Sequence, residues 1–453
     1  MKRGTRNPIP HTRCPRPATR KLKPETRNLK RFLLLALGLL AACGGPRSER
    51  TEKRLSVMDV GTRPGDREIW KETAAKFKAD HPGWEVDVGL YKDDDYTKLY
   101  LPQALASKHP PDIYFQWAGY AVRRDGGHGI ARDLTDDLNP QWKSQFDERA
   151  FRGSTYGGRH FMIPVGMDVS NVIWYRKSIL AKHGIEPPRT WEVFVAACKK
   201  LKAAGMTPIV HGNQAGWPAG NWAAHMAEMY LGIETYEAIG DSNSPKRVRL
   251  DDPRIVRAVA LLEELARLGA FNKDIDTLND LEGFGLFNRA AGAFHFNGGW
   301  IVEEFADPDD VALMRQPILP GEVVDRDSVL ATAAGMLIHA RSAHPSEAID
   351  LLQALTSVPI QVKSVAIGRS STVKAALATI KNPHQQAVQK ILEASSVWAA
   401  APDISWRPAD AEEFNRAVKG VVGGRSTAAE ALRTAAENVA RQSDQSATPK
   451  ATK

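Results

Sequence analysis

With 453 residues, 43% of them apolar and 25% charged, the chain is long enough for two separate cores and too apolar to be disordered. Its formal charge of +8 suggests a polyanion partner, yet residues 1–42 hold eleven Lys/Arg against one acid, leaving 50 bases and 52 acids in the rest. A body near −2 excludes a nucleic-acid binder.

In chain order, the basic stretch ends at Lys30-Arg31 and runs into the apolar segment Phe32 to Ala42. A charged head and an apolar run of about eleven residues, too short to cross a bilayer of about 30 Å, predict an export leader. Leu40-Ala41-Ala42-Cys43-Gly44 resembles the lipobox of bacterial lipoproteins. That resemblance implies removal of residues 1–42, acylation of Cys43, a tether over 43–54 and residence on the periplasmic or cell-surface side of a membrane. The alternative is an ordinary secretory signal with a chance cysteine. Cys14 leaves with the leader, so Cys198 stands alone in the mature chain and no intrachain disulfide forms. Lying on the apolar side of a helical pattern, Cys198 reads as a buried, inert thiol.

Leu55 to Val60 predicts a buried strand, and Pro64 opens a helix whose apolar face is Trp70, Ala74 and Phe77. Val86, Val88 and Leu90 alternate with Glu85, Asp87 and Gly89 as a second strand; Leu99 to Ala106 forms a short helix and Pro111 to Gln116 a third strand. This βαβαβ order implies a parallel, doubly wound sheet with right-handed crossovers. A second α/β series follows Pro164. It contains a strand over Val172 to Tyr175, a helix capped by Thr190 and stopped by Gly205, a strand over Thr207 to His211, and another over Ala291 to Phe296. Thr427-Ala428-Ala429-Glu430 is a capping box for an Ala-rich helix to about Arg441, and the polar residues 442–453 read as a disordered tail.

Signatures of catalysis, cofactors and metals are missing. Gly127-x-Gly129 lacks the third glycine of a dinucleotide turn, no phosphate loop is present, and the twelve histidines show no metal-ligand spacing. The carboxylate groups Asp93-Asp94-Asp95 and Glu303-Glu304 leave an exported carbohydrate-active enzyme as a rival, although acidic runs are usually solvated faces. The aromatic inventory is more informative. Eleven tryptophans outnumber nine tyrosines, and Trp117, Trp217, Trp222, Trp300 and Trp406 lie near Gly, Asn or Pro, where chains turn. Flat rings at loop ends suit stacking on the apolar C–H faces of a ligand. In open parallel sheets ligands bind beyond the carboxyl ends of strands. Asp59 to Arg63 ends the first strand, Trp117 follows the third, and Asn297-Gly298-Gly299-Trp300 follows a later one.

Six segments then carry a pattern: Phe77 to Gly83; Pro110 to Ile113; Gly157 to Pro164 leading to Trp174-Tyr175; Pro188 to Trp191; Phe294 to Trp300; and Gly335 followed by a helix from Ser346 to Leu355. In this order they resemble the bacterial extracellular solute-binding proteins of family 1, the maltose-binding-like carbohydrate receptors of ABC importers, over nearly all of 54–441. The resemblance implies an α/β clamp of two lobes, each a mostly parallel sheet flanked by helices. Lobe 1 would comprise 55–165 and 325–366, lobe 2 166–324 and 367–441, joined by crossing hinge segments. It implies a monomeric receptor that binds a carbohydrate, an oligosaccharide by preference, in the cleft between its lobes and delivers it to the transmembrane subunits of an importer. Trp222 matches a cleft aromatic, Trp300 a stacking ring and Asp168 an acidic sugar contact, with Asp403 and Trp406 as further contacts. Asp59, Arg63, Trp117, Trp217, Asn297, Gly299 and Gly335 complete the candidate site. The family's Tyr-Asn-Lys is here Tyr175-Arg176-Lys177, so the helix cap must come from another residue, for which Ser178 is the candidate. Within the same fold, acidic clusters such as Asp93 to Asp95 leave a polyamine or other non-sugar solute as an alternative ligand.

Overall fold

The computed structural model describes residues 53–61, 64–241 and 243–447. Cys43, its leader and Arg63 lie outside them. The described residues belong to one contact unit that begins at Lys53. They form two sheets and two hydrophobic cores, and the second sheet packs against both cores, with Val172, Trp174 and Val311 in the first and Ile173, Phe294 and Phe296 in the second.

The first sheet begins as the alternation predicts. Strand β1 (Arg54–Val60) buries Leu55 and Val57, helix α1 (Pro64–Asp80) covers it with Trp70 and Phe77, and β2 (Glu85–Tyr91) returns parallel with Leu55 opposite Val86. Strand β3 (Ile113–Trp117) adds on the other side of β1, also parallel. Helix α2 (Tyr120–Gly127) follows it. Between β2 and β3 the predicted helix is a π turn over Tyr96–Tyr100 leading into a helix over Leu101–Ala106.

Strand β4 (Ile163–Val169) belongs to the same sheet, and β5 (Val172–Arg176) starts the second one, so the chain crosses at Ser170-Asn171. Ser170 N donates to the Leu330 carbonyl at 2.6 Å and fixes this crossing. Helix α3 (Lys177–Lys182) is not capped by Ser178. Asp310, from a segment 132 positions away, accepts from Ser178 N at 2.7 Å and from its hydroxyl at 2.8 Å. Arg176, where the family has Asn, is buried and donates to the Phe287 and Asn288 carbonyls and to Asp310.

Helix α4 (Trp191–Ala203) is capped by the Thr190 hydroxyl as expected and buries Cys198, whose thiol burial pushes up to about 12. Strand β6 (Thr207–Ile209), helix α5 (Trp217–Leu231), helix α6 (Pro253–Leu268), helix α7 (Asp280–Asn288), strand β7 (Gly292–Asn297) and strand β8 (Val311–Met314) complete the second lobe's centre. Its sheet runs β8-β5-β7-β6, with antiparallel pairs around β5 and a parallel β6-β7 pair.

The chain returns to the first sheet in β9 (Ser328–Ile338), which the periodicity does not predict. It pairs antiparallel with β3 and β4 and parallel with β10 (Val397–Ala399), giving the order β10-β9-β3-β1-β2. Both sheets are therefore mixed within the expected α/β clamp, because β9 and β5 enter from the opposite end. Helices α8 (Pro345–Leu355) and 358–366 pack on α1 in the first core, while α9 (Pro408–Val422) and α10 (Ala428–Ala447) pack together in the second. The capping box forms, but α10 continues through Ala447, past the expected start of a tail at 442. No described helix is long and apolar enough to cross a membrane.

Candidate functional site

The residues singled out from the sequence divide by environment. Asp168 near the end of β4 and the turn Asn297 to Trp300 after β7 come from different sheets and meet. A Cβ on Gly299 would overlap the Asp168 carboxylate and crowd Val388, so any larger residue would have to turn that carboxylate away. Trp300 and Trp217, the first residue of α5, are half-buried, with ring centroids 6.1 Å apart and planes inclined by 59°. Trp117 is half-buried at the end of β3, edge-on to Phe115 at 4.8 Å. A cavity of about 20 Å³ lies between Asp168, Gly299, Gly368, Ser370 and Val388, room for about one water.

Asp59, at the end of β1, is buried. Trp70 Nε1 donates to it at 2.7 Å and Arg369 Nη2 stands 3.9 Å away. Burial raises its carboxyl, opposed first by the Arg369 charge. Arg369 also pairs with buried Asp66 at 3.2 Å. Sequence gave no sign of this arginine's part, since it lies some 300 positions from its partners and no local pattern links them. The adjacent Ser370 hydroxyl accepts from Met167 N at 3.1 Å, which brings the Asp59 and Asp168 neighbourhoods onto one segment.

Four expectations change. Trp222 is 1% exposed inside α5, with its ring 4.5 Å from Phe296 and its Nε1 donating to Gln316 at 2.6 Å; it fills the second core because its helix face points there. Trp406 is fully buried against Tyr236 and Phe414 and donates to the Tyr236 carbonyl. Gly335 sits in β9 at an irregularity in the β4 pairing, where a side chain would overlap the Ile163 carbonyl; its smallness serves the sheet. Asn297 is 4% exposed and its amide is engaged by protein: Oδ1 accepts from Gly298 N at 2.8 Å, and Nδ2 donates to Asp280 Oδ1 at 3.1 Å and lies 3.2 Å from His295 Nε2. Asp403 is exposed.

Among the described residues His211, Asp280 and His295 offer donor atoms within 4.8 Å of one another, the spacing of a group that could hold a metal. Asp280 and His295 are engaged by hydrogen bonds, since Asn297 Nδ2 sits between them and His295 Nδ1 lies 2.8 Å from the Val210 carbonyl and 3.2 Å from His211 Nδ1, whereas His211 Nε2 has no hydrogen-bond partner among the described residues. Burial pushes Asp280 up to about 6 and His295 down to about 4. The histidine spacing in sequence does not disclose this cluster because the segment after β6, helix α7 and strand β7 each contribute to it.

A family model described as bacterial extracellular solute-binding protein matches residues 62–362. An uncharacterised ABC transporter extracellular-binding protein of Pyrococcus horikoshii is 24% identical over 312 residues, 68% of this chain and 70% of its own length. The melibiose/raffinose/stachyose-binding protein of Bacillus subtilis is 23% identical over 286 residues, 61% of this chain and 63% of its own. Among solved structures, a chitin oligosaccharide binding protein superposes with a TM-score of 0.77 at 19% identity, covering 86% of this chain and 98% of that one. A maltose-bound protein of T. maritima gives 0.67 at 19% identity, covering 86% and 99%.

Proposed function

Since the chain belongs to the bacterial extracellular solute-binding proteins, we propose that it is an exported receptor that binds an oligosaccharide between its two lobes and delivers it to the membrane subunits of an ABC importer. The observation that carries this reading is the meeting of Asp168 with Gly299 beside the half-buried pair Trp217 and Trp300. Sugar hydroxyls lose water on burial and need charged partners, while an indole face covers the apolar side of the ring. Asp168 supplies the first function and the two indoles the second. Relatives named for melibiose, raffinose and stachyose, and for chitin oligosaccharides, support a carbohydrate ligand.

Trp117 and Asp403 remain in the proposed surroundings of the ligand, as does Arg63, which lies outside the described residues, while Asp59, 1% exposed and held by Trp70 and Arg369, and Asn297 act from behind. We draw the lobes at the crossings of the chain rather than at 165/166 and 366/367: β4 through Val169 and the segment from Val373 through β10 go with the first sheet and core, so lobe 1 takes about 55–169 and 328–399 and lobe 2 about 172–314 and 400–441. Acylation of Cys43 after removal of 1–42 would hold the receptor, as a monomer, at the membrane surface near its importer.

Thermal unfolding in the presence of maltotriose, raffinose, chitotriose, xylotriose and spermidine tests the reading, because a ligand that binds only the native state raises the melting temperature. At least one oligosaccharide should raise it and be recovered unchanged, and Trp300→Ala should abolish most of that rise without lowering the melting temperature of the free protein much. A rise with spermidine alone would make the receptor one for polyamines.

A further inference from the structure

We propose that Asp280 is a positioning residue for the ligand-facing turn, holding Asn297 so that Gly299 and Trp300 stand at fixed positions against Asp168 and Trp217. The proposal rests on the reading of that turn as part of the sugar site.

Asp280 is the first residue of α7, and that end of the helix has little freedom. Asn279 caps it in a reciprocal box with Glu282, and side chains on Gly212 or Gly283 would overlap the opposing backbone, so the helix start lies directly on the chain after β6. From this platform the Asp280 carboxylate accepts from Asn297 Nδ2. His295 Nδ1 faces the Val210 carbonyl at 2.8 Å, which assigns the proton to Nδ1 and leaves the Nε2 lone pair for the same Asn297 amide. With its nitrogen held twice from behind, the amide presents Oδ1 to Gly298 N. The turn beyond is closely packed: a side chain on Gly298 would overlap the Trp300 ring, and one on Gly299 the Asp168 carboxylate. Loss of the Asp280 contact leaves the amide held by His295 alone, and an amide that rotates offers a donor where Gly298 N needs an acceptor. The turn and the Trp300 ring must then shift.

The two indoles provide a readout that needs no sugar. At 6.1 Å and 59° they are close enough to couple, giving an exciton couplet in far-ultraviolet circular dichroism, identified as the signal lost in Trp300→Phe. Asp280→Asn keeps an acceptor oxygen for Asn297 and should keep the couplet. Asp280→Ala should lose it while still melting cooperatively, and its affinity for whichever of maltotriose, raffinose or chitotriose binds the parent should fall by about tenfold. If none of these binds the parent, the sugar reading fails on its own and the couplet still decides the role of Asp280. A couplet of full strength in Asp280→Ala, or one lost equally in Asp280→Asn, would overturn the proposal. Should Asp280→Ala not fold, Asn297→Ala removes the other half of the same contact; loss of the couplet there supports the role and its retention refutes it.

Discussion

Glu228 on α5 is fully buried, and burial, with Asp325 beside it, pushes its carboxyl up to about 9. In the unfolded chain the same group ionises near 4.5. Because the folded pKa is raised, the stability contributed by the neutral carboxyl is full below about pH 4.5 and is lost as pH rises toward 9. Glu228→Gln should therefore raise the melting temperature at pH 8 and change it little at pH 4. Scans at both pH values check this, and an equal shift at the two would show that ionisation is not the cause. The same burial explains what residue type alone could not reveal. Trp222 and Trp300 both neighbour small or amide residues in sequence, yet one occupies a core-facing position within a helix and the other follows a strand end. The helical run from Trp217 to Leu231, nearly all buried, was the signal that assigns Trp222 to packing. Nothing local marked Arg369 or Asp280, whose partners arrive from other elements.

At the scale of elements, periodicity exposed β1, β2, β5 and the capped helix α4, since each shows apolar residues on one face or bears its own cap. It failed for β9, whose run of Val, Leu, Ala and Met is covered on nearly all sides and lacks alternation, and for β8 and β10, which are only four and three residues long. Such strands are specified by the slot they fill. The cap of α3 is likewise non-local. Asp310 satisfies Ser178 N and its hydroxyl, and stands 3.4 Å from the buried Arg176 guanidinium. Asp310→Ala removes a helix cap and the carboxylate partner of a buried cation, so it should cost about 2–4 kcal/mol in urea unfolding. Asp310→Asn keeps an acceptor for the cap and should lie between that variant and the parent. A loss below roughly 0.5 kcal/mol for Asp310→Ala would mean that the Phe287 and Asn288 carbonyls suffice for Arg176 and that solvent caps α3 equally well.

For the whole molecule, three excursions join the lobes: Ser170-Asn171 between β4 and β5, the segment between β8 and β9, and the exit from β10. Backbone links of this number guide a hinge motion along one path. Contacts beyond the links set how strongly the lobes hold together. Arg123 on α2 of the first lobe donates through Nη2 to the Ser405 carbonyl at 2.8 Å, beside the buried Trp406 of the second core. Burial lowers the pKa of its guanidinium, and Glu237 and Asp241 of the second lobe offset only part of that cost. A ligand shifts a two-state equilibrium only by binding one state better, so part of its binding energy is spent wherever the free protein prefers the open state. If the Arg123 contact exists only when the lobes are closed, Arg123→Ala makes closure harder without touching the ligand. Affinity for an oligosaccharide identified by thermal shift should then weaken by up to about tenfold, the range of one hydrogen bond from a charged donor. Small-angle scattering separates this from damage at the site: with saturating oligosaccharide the variant should reach the same radius of gyration as the parent, and at subsaturating oligosaccharide it should be larger. Equal affinity and equal radius in both conditions would place Arg123 on the hinge side, where its contact survives opening and contributes nothing to the choice between states.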